Sequence, residues 1–216
     1  MCKPIIIAID GPAGAGKSTI ARSLAGKLGF TYIDTGAMYR AVALWALRAG
    51  VDLSNMLGLE RLAQEARIEF SGDRVLLNGG DVTAAIREPR VSEVASKVSA
   101  VPGVRRAMRD EQRRIGLKNS VVMEGRDIGT VVFPDAQIKI YLDADPGIRA
   151  GRRAKETGAS VGQVAREIAE RDHRDRSRAE APLTQAPDAE YLDSSGLSPE
   201  AVEEAILKIV RQRTSN

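Results

Sequence analysis

Residues 5–19 read IIIAIDGPAGAGKST, and no other stretch limits so narrowly what the chain can fold into. The isoleucine-rich run at its start has the composition of a strand buried in a parallel sheet. It leads directly into Gly11-Pro12-Ala13-Gly14-Ala15-Gly16-Lys17-Ser18, which fits G-x-x-x-x-G-K-[ST], the phosphate-binding P-loop pattern. Glycines at 11, 14 and 16 permit positive φ and carry no side chain, so successive backbone N–H groups can converge on phosphate oxygens at a helix N-terminus. Lys17 adds a full charge for the β and γ phosphates, and the Ser18 hydroxyl is placed to ligate Mg²⁺. A nucleoside triphosphate is therefore expected on the segment that runs from Gly11 to Thr19. What is done with it must come from the rest of the chain.

The remaining sequence alternates helical and strand patterns, as expected of a parallel sheet whose ligand lies beyond the carboxyl ends of its strands. Helices are expected at 19–28, ended by Gly29, and after Asp34-Thr35-Gly36, with Met38, Val42, Trp45 and Leu44 or Leu47 facing inward. Another is expected at 59–67, two more at 91–101 and 104–117 separated by Pro102-Gly103, and a pair over 149–178 broken near Gly158. The closing helix covers 199–213, with Ser198 as its N-cap. Strands are expected at 30–33, 120–123, 138–142 and 189–192. Residues 65–90 break the alternation with short strands joined by tight turns, and are expected to form an inserted subdomain within a core made of 1–64 and 91–216.

Composition excludes several classes. With 43% hydrophobic and 28% charged residues over 216 positions, the chain suits one folded α/β domain with a small insert. A net charge of +3 and 4% aromatic residues are poor provision for a nucleic-acid surface, which wants more cations and stacking rings. One cysteine, Cys2, excludes an intramolecular disulfide and fits a reducing compartment. The N-terminal apolar run is too short for a transmembrane helix and lacks a signal-peptide layout, so a cytoplasmic location is expected, with no membrane partner.

Three polar groups fall where parallel strands should end. They are Asp34-Thr35-Gly36 with Tyr39 and Arg40, Glu124-Gly125-Arg126-Asp127, and the run from Arg171 through Arg174 and Asp175 to Arg178. Residues 149–178 carry nine Arg or Lys against five Asp or Glu, a larger excess than that of the whole chain. Arginine suits a site for two phosphate groups because its planar fork binds two oxygens at once and stays protonated. Clustering near strand ends marks Arg40, Arg126, Arg171 and Arg178 as functional, whereas Arg106, Arg109, Arg113 and Arg114 read as surface charges. His173 reads as a surface residue, since phosphoryl transfer to an already anionic phosphate oxygen needs no base.

Taken together, the motifs resemble the bacterial cytidylate kinases of the nucleoside monophosphate kinase group over nearly the full length. The resemblance rests on IDGPAGAGKST (9–19), DTGAMYR (34–40), the S-x-V-x-x-x-P-x-V-R run (96–105), EGRDIGTVVFPDA (124–136), KIYLDA (139–144) and ERDHRDRSRAEAPL (170–183). It implies an α/β P-loop core, a strand-containing monophosphate-binding insert and a helical lid at about 147–160. It also implies Mg²⁺-dependent transfer of the γ-phosphoryl group of ATP to CMP or dCMP. Carried over by position, Ser96, Arg105 and Asp127 meet the base, Arg171 and Asp175 the sugar, and Thr35, Arg40, Arg126 and Arg178 the phosphate. Lys17, Arg126 and Arg178 are the expected catalytic cations, joined by Arg152 and Arg153, which with Arg149 resemble the arginines of the lid. Glu124 stands where the family often has aspartate, and Thr35 where serine is frequent; both replacements keep their chemistry. An Asp127 carboxylate accepts from the cytosine N4 amino group and repels the O4 of uracil. A monomer is expected. A GTPase-type switch is disfavoured because no N-K-x-D guanine-reading motif occurs, and a nucleic-acid-dependent ATPase because aromatics are few.

Overall fold

The computed structural model describes residues 4–214, so Cys2 lies outside the described residues. The run of isoleucines forms β1 (Ile6–Asp10), every residue of which is buried. It pairs in parallel with β6 (Val121–Gly125) on one side and β7 (Ile138–Asp143) on the other, and β7 pairs in parallel with β8 (Glu190–Asp193). With β2 (Thr31–Asp34) beside β6, the five-stranded order is β2-β6-β1-β7-β8. Strands so fully buried need cover, and α1 (Lys17–Leu28) and α8 (Pro199–Thr214) supply it. Ile20, Leu24, Val202 and Ile206 close over Ile7, Ile9, Val122, Ile140 and Leu142 in one apolar cluster. As expected, Ser198 caps α8, accepting from the N–H of Ala201 at 3.2 Å.

The same compact unit, 1–33 with 116–216, holds the charged helical pair. This is α6 (Pro146–Thr157), capped by Asp145, and α7 (Val161–Ser177), capped by Ser160. The break falls at Gly158, whose φ of 71° ends α6 in the left-handed region. Among the described residues no helix is long and apolar enough to cross a membrane.

The second compact unit, 34–115, contains α2 (Thr35–Arg48), α3 (Met56–Glu65), β3 (Ile68–Ser71), β4 (Arg74–Leu77), β5 (Gly80–Asp81), α4 (Pro89–Val98) and α5 (Pro102–Gly116). The three strands form an antiparallel sheet within the 65–90 segment, and the compact unit around them is wider than that segment. Two details differ from the sequence reading. Pro102 and Gly103 open α5 instead of separating two helices, because proline's fixed φ and missing N–H cost nothing in a first turn. Trp45 is only half-buried: alanines 41, 43 and 46, with Met38, Val42 and Leu44, supply the covered face of α2.

Candidate active site

Strand register sets out the first half of the site. Asp10, the last residue of β1, lies opposite Gly125 of β6 and Tyr141 of β7, so the loops that follow these three strands start side by side. Gly11 turns out of β1 with φ 148°, and a Cβ there would stand 1.9 Å from the carbonyl oxygen of Leu142; only glycine passes. The loop ends at Gly16, the N-cap of α1, which has no side-chain cap and no acidic residue in its first turn. That helix end suits an anion. Lys17 is buried and its Nζ donates to the carbonyl of Pro12 at 2.6 Å. Burial, then repulsion from Arg126, pushes its amine down to about 7 against the pull of Glu124. Ser18 and Thr19 are exposed in the first turn of α1.

The end of β6 carries the second group. Glu124 is buried and accepts from the Tyr32 hydroxyl at 2.5 Å. Arg126 donates through Nε to Asp175 Oδ2 at 2.9 Å, and Arg178 donates through Nη1 to Asp175 Oδ1 at 3.2 Å. Arg178 Nη2 also stands 3.6 Å from Asp127 Oδ1. Asp175 is thus a hub between two guanidinium groups. Burial opposes its ionisation, yet Arg126, Arg171 and Arg178 hold its carboxyl below the usual range. Asp127 opens a π-helical turn, Ile128–Val132, whose leading N–H groups are taken by a residue that the sequence reading passed over. Asp10 accepts from Ile128 at 2.9 Å and from Gly129 at 2.7 Å, fixing the turn that carries Arg126 and Asp127.

The other predicted residues belong to the second unit. Asp34 caps α2, accepting from Ala37 N–H at 2.9 Å, and its second oxygen holds Arg40 Nη2 at 2.8 Å. A Cβ on Gly36 would stand 3.0 Å from Asp34 Oδ1 and 3.1 Å from the Arg40 guanidinium, so a larger residue there would press on this ion pair. Thr35 is buried in the first turn of α2, and Ser96 is half-buried on α4. Arg105 is buried on α5; it donates to the carbonyl of Ser99 at 3.2 Å, and its guanidinium lies 5.5 Å from the centroid of the Tyr39 ring. Of the nine expected acceptor residues, the first unit therefore carries Arg126, Asp127, Arg171, Asp175 and Arg178, and the second Thr35, Ser96, Arg40 and Arg105.

Arg152 and Arg153 part company. Arg152 donates to Ser194 Oγ at 3.0 Å and to its carbonyl at 2.7 Å, and reaches the carbonyl of Ala15 at 3.5 Å. Arg153 is exposed and pairs with Glu156 at 2.9 Å. Arg149 is buried against Asp172, which is itself buried. Ser194 carries no local motif that would have marked it, and Asp10, inside the run 9–19, is given no role there. His173 is exposed, as expected.

No group of three or more His, Cys, Asp or Glu side chains able to hold a metal occurs among the described residues. The donor set still fits Mg²⁺ of the kind that keeps several waters and binds through substrate phosphates, since Ser18 offers a free-standing oxygen beside Lys17.

A parallel sheet with a phosphate loop after its central strand, and an arginine–aspartate hub after the next, defines the chain as an α/β kinase of the P-loop class. Comparison with known proteins narrows this. The family profile described as cytidylate kinase matches residues 7–212. A cytidylate kinase of Solibacter usitatus is 62% identical over 99% of this chain and 95% of its own length, and one of Pelotomaculum thermopropionicum is 53% identical over 93% of each. The chain belongs to the cytidylate kinase family. A solved structure of an uncharacterized protein from Eubacterium ventriosum, 15% identical over 99% of this chain and 100% of its own, superposes with a TM-score of 0.55, a likeness of fold alone.

Proposed function

We propose that this chain transfers the γ-phosphoryl group of ATP to CMP or dCMP, giving ADP and the cytidine diphosphate. The observation that carries the reading is the Arg126–Asp175–Arg178 hub, in which Arg126, just after the strand next to the one that delivers the phosphate loop, meets the end of α7. Residues Gly11 to Thr19 hold the donor. The N-terminal N–H groups of α1 and Lys17 bind its phosphates, and Arg126 and Arg178 exchange their hold on Asp175 for the acceptor's phosphate. Their charge then stabilises the transferred group as it leaves one anion for another. The attacking oxygen is anionic already, so no side chain has to remove a proton. Asp127 and Arg105 with Ser96 read the base, Arg171 and Asp175 the sugar, and Thr35 and Arg40 join the arginines on the phosphate. Ser18, with the nucleotide's own oxygens, would hold Mg²⁺, which neutralises charge on the β and γ phosphates when bound.

The strand-bearing segment 65–90 is the monophosphate-binding insert, and 147–160 the lid that excludes water, with the side chains of Arg152 and Arg153 turning onto the phosphates once both nucleotides are bound. The enzyme acts on free nucleotides in the cytoplasm, as a monomer, without nucleic acid or membrane. A coupled ADP-release assay with ATP·Mg²⁺ and each nucleoside monophosphate in turn tests the reading. CMP and dCMP are the expected acceptors; turnover confined to a different monophosphate, or to none, overturns it.

A further inference from the structure

A loop whose N–H groups serve a phosphate must find other donors for its carbonyl oxygens. Here they come from Arg149 and Arg152 of α6 and from Ser194, just after β8. Ala13 is held on both sides of its peptide units: its N–H donates to Asp172 Oδ1 at 3.2 Å, and its carbonyl accepts from Arg149 Nη1 at 2.9 Å. Arg149 and Asp172 are themselves joined, Nη1 to Oδ2, at 2.5 Å, and both are buried. Arg149 Nε donates to the carbonyl of Ala144 at 3.0 Å, so the guanidinium is anchored to the loop after β7 as well. The Ala13 methyl packs with Ala154 of α6 and Val164 and Ile168 of α7. Contact is equally close one residue on: a Cβ on Gly14, whose φ is 78°, would stand 2.9 Å from the carbonyl oxygen of Arg149. Backbone, apolar and ionic contacts thus converge on the same turn of the loop.

We propose that Arg149 and Asp172 are positioning residues for the phosphate donor, a buried ion pair that fixes the Ala13 peptide and so presets the phosphate loop. The proposal rests on the reading that ATP binds this loop. It separates Arg149 from Arg152 and Arg153, with which the sequence grouped it, because Arg149 alone of the three is buried and paired with Asp172. The hydrogen bonds of the pair run to Ala13, to Ala144 and to each other, so the expected damage is to the donor site.

The test compares Asp172→Ala, Asp172→Asn and Arg149→Lys in the full chain, by calorimetric ATP binding and by separate KM values for ATP and CMP, with melting curves for each variant. Asp172→Ala and Arg149→Lys raise the Kd and KM for ATP by about tenfold and leave the KM for CMP within about twofold. Asp172→Asn, which still offers an oxygen to the Ala13 N–H, falls between wild type and Asp172→Ala. Wild-type ATP affinity in any folded variant, or equal losses for ATP and CMP, overturns the proposal. Should Asp172→Ala fail to fold, Asp172→Asn and Arg149→Lys are judged by the same measurements. Absence of ATP binding in the unaltered protein would refute the donor site itself, a different failure.

Discussion

Arg126 and Asp175, 49 residues apart in sequence, are joined through Nε and Oδ2 at 2.9 Å, and the other oxygen of the same carboxylate holds Arg178. Two guanidinium groups repel each other at this range, and a buried carboxylate between them keeps both aimed while no phosphate is present. Asp175→Asn keeps the size and loses the charge. It should lower kcat/KM for CMP by about a hundredfold while leaving the KM for ATP close to wild type, as steady-state kinetics with each substrate varied will read.

The same pairing has a pH signature. Three arginines outweigh burial and hold the Asp175 carboxyl below its ordinary value of 3.8. A carboxyl depressed on folding adds stability above that ordinary value, and the addition is lost as pH falls through the lowered one. Melting curves taken down the acid limb should therefore fall less steeply for Asp175→Asn than for wild type.

Asp127 stands 3.6 Å from Arg178, at the start of the turn held by Asp10. If its carboxylate accepts from the N4 amino group of cytosine, Asp127→Asn removes the repulsion of the O4 of uracil and offers that oxygen a donor. The ratio of kcat/KM for CMP over UMP should drop by about tenfold or more. An unchanged ratio removes Asp127 from base reading.

Much of this was legible in the sequence because local chemistry imposes it. The P-loop spacing fixes a strand, a loop and a helix start; Asp34 and Gly36 announce a capped helix; Gly158 and Ser198 mark helix ends that the structure places as read. What escaped are contacts made by residues far apart in the chain. Asp10 looks like the tail of a strand until Ile128 and Gly129 arrive from 118 and 119 residues away. Arg149 reads as an arginine of the lid, beside Arg152 and Arg153, until Asp172 and Ala13 enclose it. Trp45 is expected inside because it stands at helical spacing with other large apolar residues, but the covered face of α2 is supplied by alanines 41, 43 and 46 with Met38, Val42 and Leu44, and the indole is only half-buried.

Asp10 itself yields a stability prediction. Each of its oxygens accepts from one backbone N–H, an arrangement asparagine cannot copy, since its amide nitrogen would face a donor. Asp10→Asn should cost about 1–3 kcal/mol in denaturant unfolding. Burial, the largest influence, raises the Asp10 carboxyl from 3.8 to about 6 even though both N–H groups pull it down. The folded state then binds a proton more firmly than the unfolded one, so this residue's contribution declines as pH rises from 3.8 through 6. The asparagine variant should lack that slope.

Lys17 links donor binding to pH. With its amine lowered to about 7 in the free protein, against an ordinary 10.5, Lys17 loses its proton far more readily than an exposed lysine. Burial is the first cause and Arg126 the second, and a triphosphate placed beside the amine acts in the opposite sense by adding negative charge. The amine therefore rises when ATP binds, and between its free and bound values binding takes up a proton, so affinity weakens as pH climbs through that interval. At about pH 8, where the nucleotide's phosphates are already ionised, calorimetry in two buffers of different ionisation enthalpy should give different heats, corresponding to net proton uptake. Lys17→Arg, which keeps a charge at every working pH, should bind ATP with a heat independent of buffer. Equal heats for wild type in both buffers would mean that Lys17 is charged before the nucleotide arrives, and that neither its burial nor the arginines around it move its proton.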